Sequence, residues 1–354
     1  MADDSTLIGM TNSTTVLSLD EVRDLAYRML TSSGAAHHQA EPTARSIRDA
    51  EADGLRTVGL SYLPVYCDHV ACGKVIGDAT PVVERPRAAT VRVDAGLGFS
   101  HPAFEAGASA LVDAARTCGV GVMALTHSYS AGALSWFVEP LAHEGLVALM
   151  FANSSSLMAP AGGRRPFFGT NPFAWAAPRA EGPPVVADLS SSAVAWVTVN
   201  AHAQRSEPIP LGWALDPDGN PTTDASLGVR GTMLPAAGHK GSALALLVDI
   251  MSGGVAGSRF SFEADDFVDT TGGPPDVGQV LLAIDPTATM GGAFADRIEV
   301  ELRALAAEEG ARLPGDRRLE HRVHAAEHGV AVPDELMELL RSYAEHGSPA
   351  RRSG

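Results

Sequence analysis

Cysteine is scarce in this 354-residue chain. Cys67, Cys72 and Cys118 are too few and too scattered for a disulfide framework or a zinc site, which fits a reducing cytoplasm. Positive charge is short as well. The formal net charge is −16, which argues against a nucleic-acid backbone as partner. No stretch of 18 uncharged apolar residues is present, so no transmembrane helix and no membrane partner are expected. The first residues, Met1-Ala-Asp-Asp-Ser5 onward, lack a basic and then apolar leader, so a secretory signal is not expected. No Gly-x-Gly-x-x-Gly turn follows a strand, and no P-loop is present, which excludes the two commonest nucleotide cradles. Lysine is nearly missing: of 26 basic residues only Lys74 and Lys240 are lysines. What is present is an apolar complement of 45%, enough for one large domain or two modest ones.

Helices and strands intermingle without a strict βαβ rhythm. Ser18-Leu-Asp-Glu21 reads as a capping box that opens a helix over 19–32. Further helices are expected over 41–53, 63–71, 102–118, 241–253 and 296–309, and after Pro333. Strands are expected over 81–93, 121–125, 146–151, 185–189 and 280–284. Residues 1–17 and 346–354 are expected to be flexible.

Several segments suit an anion. Gly238-His-Lys-Gly-Ser242 places His239 and Lys240 between glycines at a helix N-terminus, where backbone N–H groups and the helix dipole favour negative charge. Arg312-Leu-Pro-Gly-Asp-Arg-Arg318 sets three guanidinium groups around a Pro-Gly turn, a fitting phosphate clamp or else a solvated basic turn. Asp188-Leu-Ser-Ser-Ser192 ends a strand and opens a helix, so its hydroxyls suit phosphate or ribose, or Ser190 simply caps that helix. Asp216-Pro-Asp-Gly-Asn220 is a turn rather than a calcium loop, and His321, His324 and His328 form a helix face without a supporting carboxylate motif. No metal site is read.

Taken in order, these segments resemble the non-Rossmann NAD(P)-dependent malate/L-lactate dehydrogenase family, and within it the Δ1-piperideine-2-carboxylate/Δ1-pyrroline-2-carboxylate reductases. The resemblance runs over about 18–320. It rests on Val138-Glu-Pro-Leu-Ala-His-Glu-Gly-Leu146, Phe168-Gly-Thr-Asn-Pro172, Asp188–Ser192, Pro221-Thr-Thr-Asp224, Gly238–Leu244 and Arg312–Arg318. It implies an α/β fold with a mixed sheet. A cofactor domain (126–285) is inserted into a discontinuous substrate and dimerisation domain (18–125 and 286–345), and the protein is a homodimer. It also implies that NADPH or NADH lies against Ser130, Ala131, Gly132, Ala133 and Leu134, against Ser190, Ser191 and Ser192, against His239 and Lys240, and against Arg312, Leu313, Pro314, Gly315, Asp316, Arg317 and Arg318. Thr170 matches a substrate-contacting position.

At the catalytic positions the chain departs from the family. Family members carry Ser-His-Gly followed three residues later by Arg, and Ala50–Tyr66 aligns without a gap. Thr57 stands for the Ser, Val58 for the proton-transferring His and Tyr62 for the carboxylate-binding Arg. Thr198 takes the place of the reductases' Asp relay. Val58 cannot move a proton, so oxidation of an alcohol loses its base. An iminium already carries its proton and accepts hydride directly, which favours C=N reduction. Thr57, Tyr62 and Tyr129 are the remaining catalytic candidates, and Val58, Tyr62 and Thr170 the substrate-side ones. Arg56 and Arg164 are candidates for a relocated anchor. The expected function is therefore NAD(P)H-dependent reduction of a cyclic imine in a small or mid-sized, specialised metabolite. The alternatives are a nucleotide-binding homologue without redox activity and a divergent 2-hydroxy-acid or alcohol dehydrogenase.

Overall fold

The computed structural model describes residues 13–350. The strands are β1 (Thr14–Leu17), β2 (Val82–Arg87), β3 (Thr90–Asp94), β4 (Val120–Ser128), β5 (Val147–Ala152), β6 (Phe173–Ala177), β7 (Val185–Leu189), β8 (Ala214–Leu215), β9 (Thr232–Met233), β10 (Val277–Ile284) and β11 (Val330–Pro333). The helices are α1 (Leu19–Ser32), α2 (His37–Ala52), α3 (Leu63–Cys72), α4 (Ser100–Cys118), α5 (Ser135–His143), α6 (Trp196–Gln204), α7 (Ala225–Arg230), α8 (His239–Asp249), α9 (Thr287–Met290), α10 (Phe294–Ala306), α11 (Asp316–His328) and α12 (Asp334–His346).

Seven strands form one mixed sheet in the order β2-β3-β4-β10-β5-β6-β7. Only β3 and β4 run parallel; the other pairs are antiparallel. One face carries α4 and α5 over a core of Val91, Val93, Met123, Leu125, Met150 and Leu281. Against the other face lies the π turn Ile250–Val255 that continues α8. There Gly278 of β10 admits no side chain, because a Cβ would come 2.3 Å from the Ser252 carbonyl.

Both chain ends build a second, helical body. α1, α2, α3 and α12 share a core of Met29, Leu30, Ile47, Leu63 and Leu340, all buried. Each such aliphatic side chain contributes about 1.5–3 kcal/mol when enclosed. The capping box forms: Ser18 Oγ accepts the Glu21 N–H at 3.2 Å, and Glu21 accepts the Ser18 N–H at 2.7 Å.

Several expectations are corrected. Residues 81–93 are a hairpin, β2 and β3, rather than one strand. Thr14–Leu17, expected to be flexible, is a strand paired with β11. At the other end Ser348 is fastened, its N–H to Ser33 Oγ at 3.1 Å and its hydroxyl to Asp68 at 2.6 Å. Residues 1–12 and 351–354 lie outside the described residues. The boundary expected between 125 and 126 falls inside β4. Ser190–Ser192 do not open a helix; β7 ends at Leu189 and α6 begins only at Trp196, capped by Ala195.

Candidate active site

A cavity of about 650 Å³ lies where five segments converge. The turn before α3 and α3 itself supply Thr57, Ser61, Tyr62 and Val65, and the loop after β4 supplies Ser130. The end of β5 gives Asn153, Ser154, Ser155, Ser156 and Leu157. Trp196, Val197, Asn200 and Gln204 come from one face of α6, and Asp266, Phe267 and Val268 close the wall.

The 266–269 loop is held by backbone carbonyls bonded to buried side chains. Lys74 Nζ donates to the carbonyls of Asp266 (2.9 Å) and Asp269 (2.8 Å). Tyr62 Oη donates to the Phe267 carbonyl at 3.2 Å. His69 Nε2 lies 2.8 Å from the Asp269 carbonyl, which can only accept, so the ring proton sits on Nε2. Its Nδ1 then accepts from Tyr129 Oη, 2.5 Å away. Burial lowers the His69 pKa, in keeping with a neutral ring. One of the chain's two lysines is thus a fully enclosed loop anchor.

This geometry sorts the catalytic candidates. Thr57 and Tyr62 reach the cavity wall. Tyr129 does not: it is fully buried among Tyr66, Phe99 and Phe267, its hydroxyl engaged by His69, so it is a core residue rather than a proton donor. Burial drives its pKa well up, and does the same to Tyr62. Val58 and Thr198 are not among the lining residues, and α6 offers Asn200 and Gln204 instead. Thr170 is also outside the lining; its carbonyl accepts the Ser191 N–H at 2.8 Å. Neither Arg56 nor Arg164 lines the cavity.

The nucleotide candidates come together in two groups. Ser191 Oγ donates to the Asn171 carbonyl (2.7 Å), and the Ala236 N–H donates to the Ser191 carbonyl (2.9 Å). These bonds lay Ser190–Ser192 beside the entry of α8, where His239 and Lys240 are exposed. Gly241 is required there, since a Cβ would stand 2.3 Å from the Ala236 carbonyl. The second group lines a cleft of about 530 Å³, with Arg312–Arg318 facing Val186–Leu189 and Ser135. Gly315 has φ +92° and opens α11. Asp188 accepts the Ser135 N–H at the start of α5 at 2.9 Å. The loop Ala131–Leu134 joins Ser130 of the large cavity to Ser135 of this cleft.

Arg318 departs from its expected role as a free clamp. It is buried, and Nη1 donates to Glu139 (2.6 Å) and Asp53 (3.2 Å). Arg322 binds the same two carboxylates, so α11 is tied to α2 and α5. Burial opposes ionisation of Glu139, but hydrogen bonds from Arg322 and Arg318 outweigh it and hold that carboxyl below the usual range. For Asp53 burial prevails and its pKa is raised.

The family model for malate/L-lactate dehydrogenase matches residues 17–341. The chain belongs to the malate/L-lactate dehydrogenase family. With it the chain joins the NAD(P)-dependent oxidoreductases. It is 42% identical over 329 residues to the (2R)-3-sulfolactate dehydrogenase (NADP(+)) of Chromohalobacter salexigens, covering 93% of this chain and 98% of that one. It is 40% identical over 334 residues to the Δ1-pyrroline-2-carboxylate/Δ1-piperideine-2-carboxylate reductase of Pseudomonas syringae pv. tomato, covering 94% and 97%. The crystal structure of Δ1-piperideine-2-carboxylate reductase from Pseudomonas syringae pv. tomato superimposes with a TM-score of 0.88, over 93% of this chain and all of that one.

The residues present fit the family's dinucleotide. Among the described residues no side-chain hydrogen bond or ion pair engages Lys240, Arg312 or Arg317. Ser135 Oγ and Arg318 Nε and Nη2 are buried without a partner. Buried unpaired donors beside a cleft at two helix N-termini are what a phosphate would satisfy.

Proposed function

We propose that this family member reduces the C=N bond of a cyclic iminium with NADPH or NADH. The observation that carries the reading is the lining of the large cavity. Among the described residues it holds no imidazole, no lysine, no arginine and no thiol, so it offers no ordinary acid for a carbonyl, and its one carboxylate, Asp266, is the only ordinary base for an alcohol. Tyr62, whose pKa burial raises, is a poor base and donates its proton to a carbonyl. An iminium needs neither. When bound, the nicotinamide supplies a hydride. The balance is one hydride gained by the iminium carbon, the C=N π pair returned to nitrogen, and the nucleotide oxidised to NAD(P)+.

The side chains then orient and enclose. Tyr62, Trp196 and Phe267 wall the cavity, and Lys74 and His69 fix the Phe267 loop. Orientation and exclusion of water supply much of a rate enhancement. Lys240, Arg312, Arg317 and the free atoms of Arg318 would hold the phosphates. A cavity of about 650 Å³ is of the size that takes mid-sized organic ligands, about 300–1,000 Å³, which supports a mid-sized substrate.

The same reading includes a homodimer in the cytoplasm. Leu246, Leu247, Ile250 and Val255 are exposed along α8 and its π turn. Phe167 stacks on the exposed Phe262 beside them, with ring centroids 5.3 Å apart, and such a patch supports self-association. All three cysteines are free thiols, which supports a reducing compartment. Among the described residues no helix is long and apolar enough to cross a membrane.

The test is incubation with NADPH, then NADH, and a panel of cyclic imines. Consumption of the nucleotide should accompany formation of the saturated amine, followed by mass spectrometry. Turnover of 2-oxo acids but of no imine would refute the reading. Sedimentation velocity checks the dimer.

A further inference from the structure

The charge of the cavity narrows the substrate further. Among the described residues Asp266 is the one charged residue of its lining. A substrate carboxylate entering there would shed water and meet no cation, an unfavourable exchange. Asp266 offers the opposite sign. Its Oδ1 accepts the N–H groups of Val268 (2.9 Å) and Asp269 (3.3 Å), while no donor engages its Oδ2. The side chain is half exposed.

Lys74 Nζ stands 3.6 Å from Asp266 Oδ1. The lysine is fully enclosed and donates to two backbone carbonyls, so it reaches no ligand. It offsets part of the field, but the carboxylate is the member of the pair that borders the cavity. Tyr62, Trp196 and Phe267 add aromatic rings to the same wall, and such rings attract cations. Val65, Leu157, Val197 and Val268 add apolar surface, and the other lining residues, among them Ser154, Asn200 and Gln204, are polar but uncharged.

Resting on the C=N reading, we propose that the substrate is a cyclic iminium without a carboxylate, bearing an apolar substituent, and that Asp266 is the specificity-determining residue that holds the cationic ring. This separates the chain from relatives whose names specify a 2-carboxylate.

The experiment is calorimetry on the NADP+-saturated protein with two saturated rings: 2-methylpiperidinium, and pipecolate, which carries a carboxylate at the same position. The methyl ring should bind at least about tenfold tighter, and Asp266→Asn should weaken it roughly 10–100-fold, the range for a charged hydrogen bond. The Asn oxygen can still accept the two loop N–H groups. The melting temperature and NADP+ affinity should therefore stay as they are, which separates lost recognition from lost folding. Tighter binding of pipecolate, or an unchanged preference in Asp266→Asn with its fold intact, would overturn the proposal. Turnover separates the two readings. If Δ1-piperideine-2-carboxylate is reduced with a higher kcat/KM than 2-methyl-1-piperideine, the substrate class falls and C=N reduction stands. If the ammonium preference is found but no cyclic imine is reduced, C=N reduction falls and the charge preference stands.

Discussion

The two ends of the site are built on opposite principles. At the end proposed for the nucleotide, Lys240, Arg312 and Arg317 are surface cations without a partner among the described residues, and buried Ser135 and Arg318 hold unsatisfied donors. At the end proposed for the substrate, no described residue of the lining is a cation and the one charge is a carboxylate. Both ends are made by loops braced from behind: α11 by the Asp53–Glu139–Arg318–Arg322 cluster, and the 266–269 loop by Lys74, His69 and Tyr62. The same bracing therefore serves two chemistries, and the difference lies in what each loop leaves free. One end leaves cations and donors for phosphate; the other leaves a carboxylate, aromatic rings and one neutral donor, Trp196 Nε1, buried without a partner.

The contrast breaks most sharply on the wrong substrates. Malate and lactate should turn over at least about 10³-fold more slowly than a cyclic iminium, because general acid–base catalysis supplies roughly 10²–10⁴ and the cavity has no imidazole. Ordinary turnover on either acid, about 10 s⁻¹ in a steady-state assay, would break it. Next, Lys240→Ala should weaken NADPH binding by about 1.5–3 kcal/mol, read by calorimetry, with the melting temperature unchanged. Unchanged affinity would remove Lys240 from the nucleotide end.

Tyr129→Phe sharpens the line between core and cavity. It should keep most of kcat and lose about 1–3 kcal/mol in denaturant unfolding, since His69 Nδ1 is left buried without a donor. The effect that is smallest within a single pH unit concerns acid. His101 is buried and stacks on Phe137, and burial lowers its pKa to about 3. The unfolded chain takes up that proton near pH 6.5 and the folded chain does not. Stability is therefore full above that pH and is lost as pH falls toward 3, by about 1 kcal/mol over the first unit. His101→Phe should flatten this acid limb in unfolding measured at successive pH values.

Legibility followed the length of the signal. The capping box at Ser18 and the run Val280–Ile284 were plain because each is one contiguous pattern. The segments proposed for the nucleotide were each one contiguous run as well, and the structure sets Ser190–Ser192 against the α8 entry and Arg312–Arg318 against β7. The β2–β3 hairpin was missed because Arg87-Ala-Ala-Thr90 has none of the usual turn residues. Beyond Thr57, Tyr62 and Ser130 the cavity wall was missed, because five segments build it and none is a motif. Trp196, Val197, Asn200 and Gln204 do fall on one helix face, a spacing that pointed to a shared surface. The scarcity of lysine did flag Lys74, but as an oddity; only the fold shows it anchoring the Phe267 loop. Tyr129 misled because a tyrosine next to the cofactor loop reads alike in sequence whether its hydroxyl meets a ligand or a buried histidine.

The pH dependence of kcat tests most directly whether the substrate brings its own proton. With NADPH saturating, two cyclic imines of well-separated pKa should give two profiles, each falling above the pKa of its own imine. Tyr62→Phe should leave both in place and keep most of kcat. Profiles that coincide for both imines, or a loss of 10²-fold or more in Tyr62→Phe with NADPH affinity intact, would contradict this and make an enzymic group the acid.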